Sequence, residues 1–463
     1  MTDRLRQTTF AALVLGMFST DDLADLGVEP TAAEVASAAD ATTATAPETP
    51  APRIADTRFL RHLEPGSTTA QALFRVWQGY RATVVDSPPG AGKSLLVATV
   101  VAHLAARSGL RVVIATPTRP QAQDIAIGIA RQMAKPSAVS LALSGALEAV
   151  DIEGRGFLEI KMGAQGAKPT AGRVVVRTLA SCALAPPEAD VLVIDEAYQS
   201  TYADVATASD RCTQLLLVGD PGQIGPVVTV DTTEWERMDA GPHRRTPEVV
   251  SRMPDAQVLN LTQTYRFGQE TVDVIAPMYA FPFTSARSPR MVVGEAEVAS
   301  CRSKSTGDAY SMALMQEVAD RAVALVGKTL RVDGEPDRKI EPADIAVVAA
   351  RNVQVNSLRA LMNSAGMAET TVGTADKLQG GQWEAVVALD PLVGATDGGA
   401  TAHGLSLGRL CVMLSRHKAH LTWVHDGEWA EALESTAADR AVVNQHLAVR
   451  AKVTAAERTR KVA

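Results

Sequence analysis

Two short segments of this chain place phosphate-binding and metal-binding chemistry in a fixed order. Ser87-Pro88-Pro89-Gly90-Ala91-Gly92-Lys93-Ser94 follows the β-rich run ATVVD and precedes the apolar run LLVATVVAHLAA. A glycine-rich loop between a strand and a helix is the setting of a Walker A phosphate loop. The glycines let backbone N–H groups curl round a phosphate, and the helix N-terminus adds partial positive charge. Pro89, Gly90, Ala91 and Gly92 are expected to form the cradle, Lys93 to reach the β- and γ-phosphates, and Ser94 to ligate Mg2+. Further on, the strand-like run Val191-Leu192-Val193-Ile194 ends in Asp195-Glu196. Ligands of open α/β sheets sit at the carboxyl ends of strands, which suits Asp195 to holding Mg2+ and Glu196 to polarising an attacking water. Either segment alone would fit an ordinary turn. Together they point to ATP and Mg2+ as cofactors.

Buried parallel strands must carry these segments, and the sequence supplies them. ATVVD (82–86), VVIAT (112–116), VVVRT (174–178), VLVID (191–195) and LLLVGD (215–220) alternate with helical stretches, the pattern of a sheet covered on both faces. VLNL (258–261), IAVVAA (345–350), AVVALD (385–390) and LTWVHD (421–426) form a second series. Two such series predict two doubly wound α/β domains, at 57–257 and 258–463. Residues 136–172, with the runs SAVSLALS and GFLEIKMG, are expected to form a small inserted subdomain in the first. Residues 1–28 predict an N-terminal helical extension. Residues 29–56, mostly Ala, Thr and Pro, predict a flexible linker, because so few large apolar side chains cannot offset chain entropy.

Composition narrows the class. At 463 residues the chain is too long for one compact domain, and its 46% hydrophobic and 21% charged content suits a globular fold. No apolar run reaches the roughly 18 residues of a membrane span, and no cleavage pattern follows Phe10–Phe18. No membrane partner and a cytoplasmic location are therefore expected. Four widely spaced cysteines fit neither a zinc site nor a disulfide frame. The net charge of −7 is concentrated at the N-terminus, where residues 1–56 hold nine acidic side chains against Arg4, Arg6 and Arg53. The remainder is close to neutral, which a protein gripping one strand in a cleft tolerates.

From Gln71 to Lys418 the motifs resemble those of superfamily 1 helicases, most closely the compact branch that includes the nonsense-mediated-decay helicase. The resemblance implies two RecA-like P-loop NTPase domains in tandem and assigns roles by position. Gln71, or Gln78 in competition with it, would read the adenine edge. Thr116-Pro117-Thr118, Thr178 and Thr374 would contact the nucleic-acid backbone. Asp195-Glu196-Ala197-Tyr198-Gln199 resembles the family's Walker B segment. In Gly219-Asp220-Pro221-Gly222-Gln223, Gln223 would sense the γ-phosphate. In LTQTYRFG, Tyr265 would stack on adenine and Arg266 reach the phosphates. TADKLQGGQWEAV (374–386) resembles motif V, and RLCVMLSRHK (409–418) resembles motif VI, with Arg416 as the arginine finger.

Three positions depart from the pattern. Ser87 replaces the first loop glycine, Gln382 stands where a ribose-binding glutamate is usual, and Ser415 replaces a threonine. The implied function is ATP-dependent travel along, or unwinding of, single-stranded DNA or RNA. The alternative is a nucleotide-switched ATPase that clamps nucleic acid or a protein without unwinding. The N-terminal extension is a candidate docking point for a protein partner. Trp423 reads as core, Trp383 as the better base-stacking candidate, and the basic end around Arg450 as a solvated helix end or a phosphate contact.

Overall fold

The computed structural model describes residues 57–144, 148–163, 167–305, 308–395 and 404–460. The predicted N-terminal helix and linker lie outside these residues. The chain divides into two compact units. The first holds Met1–Ser87, Gly92–Asp220 and Gly225–Leu261, and the second holds Thr262–Ala463 with the loop pieces Pro88–Ala91 and Pro221–Ile224. No helix among the described residues is long and apolar enough to cross a membrane.

In chain order the first unit runs α1 (Thr68–Trp77), β1 (Ala82–Asp86), α2 (Lys93–Ser108), β2 (Val112–Thr116), α3 (Arg119–Ala130), β3 (Val139–Leu143) and β4 (Glu159–Met162). It continues through β5 (Val174–Thr178), α4 (Leu179–Leu184), β6 (Ala189–Asp195), α5 (Tyr202–Ala208), β7 (Cys212–Gly219), α6 (Thr246–Val250) and β8 (Ala256–Asn260). The eight strands form one sheet in the order β4-β3-β5-β2-β6-β7-β1-β8, and every pairing is parallel. Alternate strand residues feed opposite faces. Val85, Ile114 and Val193 pack under α1, α2 and α3, while Val84, Val113 and Ile194 pack with Leu179 of α4 and Val205 of α5. This is the doubly wound RecA-like arrangement.

Two expectations are corrected here. The run VLNL, expected to open the second series, instead lies in β8, pairing Val258 with Val84 and Leu259 with Val85 at the edge of the first sheet. An apolar strand is compatible with either sheet, and only pairing decides between them. The described residues of 136–172 form no separate subdomain. Their strands β3 and β4 extend the main sheet, with β3 bonded to β5.

The second unit runs β9 (Gln263–Thr264), α7 (Gln269–Ile275), β10 (Thr284–Ser285), β11 (Arg290–Val292), β12 (Val298–Arg302), α8 (Met312–Val323), β13 (Thr329–Val332), β14 (Arg338–Lys339) and β15 (Ile345–Ala349). It closes with α9 (Asn352–Ser364), β16 (Thr371–Thr374), α10 (Ala375–Leu378), β17 (Trp383–Leu389), α11 (Leu407–Leu414), β18 (His417–His425), α12 (Trp429–Glu434) and α13 (Arg440–Arg460). Its main sheet is again parallel, in the order β12-β18-β17-β15-β16. Val347, Ala385 and Val387 face α8 and α9; Val348, Val386 and Trp423 face α7, α11 and α13. Trp423 is fully buried, as its apolar surroundings in sequence suggested.

The basic C-terminal end reads differently in three dimensions. Arg450 is neither solvated nor open to phosphate: it is fully buried and gripped by Asp390, with Nε 3.0 Å from Oδ2 and Nη2 2.8 Å from Oδ1. A guanidinium can be buried at this cost only when a carboxylate meets its fork, which fixes α13 onto the end of β17.

Candidate nucleotide and nucleic-acid site

The first unit assembles its polar residues at one rim of the sheet. Asp86 pairs with Gly219 and Asp195 with Val218, so β1, β6 and β7 end level with one another. The loop after β1 is anchored at its first residue. Ser87 is fully buried, and both its backbone N–H and its hydroxyl donate to the Gly219 carbonyl at 3.0 Å. The serine that departs from the glycine pattern therefore ties the loop to the end of β7. Gly90 and Gly92 have φ of 76° and 85°, left-handed values that glycine adopts without strain. Gly92 then caps α2, with Lys93 and Ser94 in its first turn.

The structure brings Lys93 and Glu196 together, Nζ lying 3.6 Å from Oε1, with both side chains largely buried. Glu196 sits in left-handed backbone at φ 53°. A non-glycine residue held there is strained, a condition concentrated at functional sites. Asp195 Oδ1 and Glu196 Oε2 are buried and have no hydrogen-bond partner among the described residues. Burial, then the neighbouring Glu196 charge, pushes the Asp195 carboxyl up to about 7, while Lys93 pulls it down. Carboxylate oxygens that are withdrawn from water and lack donors are suited to a cation. Mg2+ needs only one or two carboxylates when phosphates and water complete its shell, so Asp195 and the exposed Ser94 fit it chemically.

One pair at this rim escaped sequence reading. The Tyr198 hydroxyl donates to Asp86 Oδ1 at 2.8 Å, and Arg245 covers the Tyr198 ring at 5.1 Å. Burial pushes the Asp86 carboxyl up to about 6 against the pull of the Tyr198 hydrogen bond, with Asp220 adding to the rise and Arg245 opposing it. A Cβ at Gly219 would lie 2.9 Å from Tyr198 Cδ2, so the glycine lets the ring pack against the end of β7. Asp86, Ser87, Tyr198 and Gly219, at the ends of β1, β6 and β7, thus share one packed corner.

Gln71 lies in the first turn of α1, and its Nε2 donates to the Gly66 carbonyl at 2.9 Å. Gln78 caps the same helix and accepts from Arg75. At the neighbouring strand ends, Thr116 pairs with Thr178 across β2 and β5. Thr118 caps α3 in a capping box with Gln121, and Thr178 caps α4 through the Ser181 N–H. Pro117 is half-buried beside them. These residues present two helix N-termini side by side, an arrangement that favours anions such as phosphates. Gln223 is buried in the turn after β7.

In the second unit, Tyr265 is exposed and its hydroxyl donates to Gln263 Oε1 at 3.0 Å. Arg266 Nη1 donates to the Ser415 carbonyl at 3.1 Å, joining the two arginine-bearing segments. Arg416 is buried. Thr374 ends β16 beside Ala349 of β15 and caps α10. Gln382 is exposed. Trp383 is only half-buried, packs against the core, and donates its indole N–H to Thr371 Oγ1 at 3.2 Å, which commits it to structure more than to base stacking. Glu384 is held by Arg290 at 2.8 Å and Lys418 at 3.4 Å.

Residues 68–277 match the AAA domain family. Among solved structures the chain is similar to the PRRSV helicase, at 18% identity over 78% of this chain and 54% of that one, with a TM-score of 0.41. It is also similar to the arterivirus nonstructural protein 10 helicase, at 15% identity over 78% of this chain and 64% of that one, with a TM-score of 0.43. The complex of that helicase with DNA gives 15% identity, coverage of 77% and 63%, and a TM-score of 0.41. The chain spans between 54% and 64% of the length of these three proteins. No curated protein matches it.

Proposed function

We propose that this protein hydrolyses ATP to move along single-stranded nucleic acid, as a helicase or translocase. The observation that carries the reading is the Lys93–Glu196 pair beside two buried carboxylate oxygens that lack donors among the described residues, after the glycine loop that follows β1. Backbone N–H groups of Gly90, Ala91 and Gly92 and the Lys93 ammonium bind the triphosphate. Ser94 and Asp195 hold Mg2+, which when bound offsets phosphate charge. Glu196 orients the attacking water and takes its proton. Tyr265 stacks on adenine, Gln71 meets its edge, and Gln382 faces the ribose. Arg266 and Arg416 stabilise charge on the transferred phosphoryl group, while Gln223 senses it. Pro117, Thr118, Thr178 and Thr374 contact the strand backbone.

A second reading follows from residues 136–172. These strands are absorbed into the main sheet instead of standing apart as a wedge for strand separation, which favours translocation or clamping without unwinding.

The test is ATP turnover by the full chain with single-stranded DNA, single-stranded RNA, duplex or no nucleic acid, run beside a strand-displacement assay. Stimulation by one single strand supports the reading, and displacement separates unwinding from clamping. Lys93→Ala is expected to lower turnover about 10³-fold by removing a phosphate donor. Turnover near wild type in that variant would refute the site.

A further inference from the structure

The second unit contains a buried hydrogen-bond chain that no motif explains. Its centre is Glu297, the residue before β12. Glu297 Oε1 accepts from the Gly268 N–H at 2.6 Å and from the Thr271 hydroxyl. Arg287 Nη2 lies 3.7 Å from Oε2. Thr271 Oγ1 in turn is 2.8 Å from His417 Nε2. A threonine has one proton to give, and here it goes to the carboxylate, so His417 Nε2–H is the donor to Thr271.

The fully buried His417 ring stacks on Phe267 with centroids 6.0 Å apart. Burial lowers the His417 pKa, and the neighbouring Glu297 opposes that shift. Burial pushes Glu297 upward, but hydrogen bonds and charge from His417, Thr271 and Arg287 outweigh it and leave the carboxyl below its usual range. Gly268 is part of the same device: a Cβ there would lie 2.1 Å from Glu297 Oε2 and 2.7 Å from Arg287 Nη2.

The chain of bonds touches both segments that bear the candidate catalytic arginines. Gly268 and Phe267 follow Arg266 directly, His417 follows Arg416, and Arg266 itself bonds to the Ser415 carbonyl. We propose that Glu297 is a positioning residue which, through Gly268, Thr271 and His417, fixes the backbone carrying Arg266 and Arg416. This inference rests on the ATP-hydrolysis reading above. Its physical basis is that a guanidinium displaced by about 1 Å loses most of its transition-state stabilisation, on the order of 10²-fold, while a fully satisfied buried network resists that displacement.

The experiment measures kcat and KM for ATP on the full chain, comparing wild type, Glu297→Gln, Thr271→Val, Arg416→Ala and the double variant Glu297→Gln with Arg416→Ala. Glu297→Gln keeps an acceptor for Gly268 and Thr271 but loses the charge. It is expected to lower kcat about 10-fold with KM within about twofold, and Thr271→Val is expected to behave similarly. In the Arg416→Ala background the effect of Glu297→Gln should shrink to the part that comes through Arg266, because one of the two groups it positions is gone. A kcat near wild type for Glu297→Gln, or an equal loss in both backgrounds, overturns the proposal. Should Glu297→Gln fail to fold, Thr271→Val in the two backgrounds gives the same reading. If wild type turns over and Arg416→Ala does not, yet the Glu297 and Thr271 variants are silent, only the positioning role falls. If wild type shows no ATP turnover, both readings fall.

Discussion

At the rim of the first sheet, β1, β6 and β7 end in a loop of left-handed glycines and in carboxylates whose Asp195 Oδ1 and Glu196 Oε2 have no donor among the described residues. In the second unit the half-buried Glu297 and the buried Glu384 and Asp390 carboxylates are each gripped by arginine, lysine, hydroxyl or backbone donors. Both sheets are parallel and doubly wound, so the contrast does not come from architecture. It comes from what each unit does with buried charge. The first keeps acceptor capacity in reserve, where burial and then the Glu196 charge raise Asp195, which suits it to a cation. The second spends its carboxylates on holding cationic segments in place, which suits it to presenting guanidinium groups in fixed positions.

The contrast can be broken most directly at Arg416. Arg416→Ala should lower ATP turnover about 10³–10⁵-fold while nucleotide affinity changes far less, as expected of an arginine finger. Phosphate-release kinetics with a nucleotide-binding titration would measure both, and unchanged turnover would remove Arg416 from the site. In the first unit, Glu196→Gln should slow turnover by about 10²-fold or more with ATP binding retained. Lost binding would show that Glu196 is structural and that its strained backbone serves the fold alone.

The gripping role of the second unit is sharpened by Arg450→Met. It leaves the buried Asp390 carboxylate without its cation and should cost about 3–5 kcal/mol of stability. Denaturant unfolding would measure this, and a cost within about 0.5 kcal/mol would mean the pair is dispensable.

The smallest effect concerns Asp86. Its carboxyl is raised from 3.8 to about 6, so the native state favours the neutral form. The stability this confers is full below the ordinary value and is lost as pH rises towards about 6. Asp86→Asn holds the neutral shape and still accepts from Tyr198. Its melting temperature should exceed that of wild type by a few degrees above the window between 3.8 and about 6, with the gain shrinking toward the acid end. A gain independent of pH would show that the Asp86 charge is not what burial opposes.

The motifs at the strand ends were legible because each is contiguous in the chain. A strand, a glycine turn and a helix start within a few residues fix their own geometry, and the Lys93–Glu196 approach follows once β1 and β6 lie in one parallel sheet. Alternating apolar runs likewise gave β1, β2, β5, β6, β7, β15, β17 and β18. The strands β12 and β16 went unseen, because VASCR and TVGT have neither length nor a clean apolar run.

Sequence alone therefore determined the chemistry available and the two-sheet plan, since both rest on local pattern and the order of elements. Tertiary structure decided which sheet accepts β8 and whether 136–172 stands apart, because a strand's partner is chosen by long-range pairing. It also decided that Arg450 is a buried anchor, that Ser87 and Tyr198 lock the phosphate-loop corner, and that Glu297 meets both arginine-bearing segments. Those contacts join residues far apart in the chain, where the worth of a charge depends on burial and on the partner it finds.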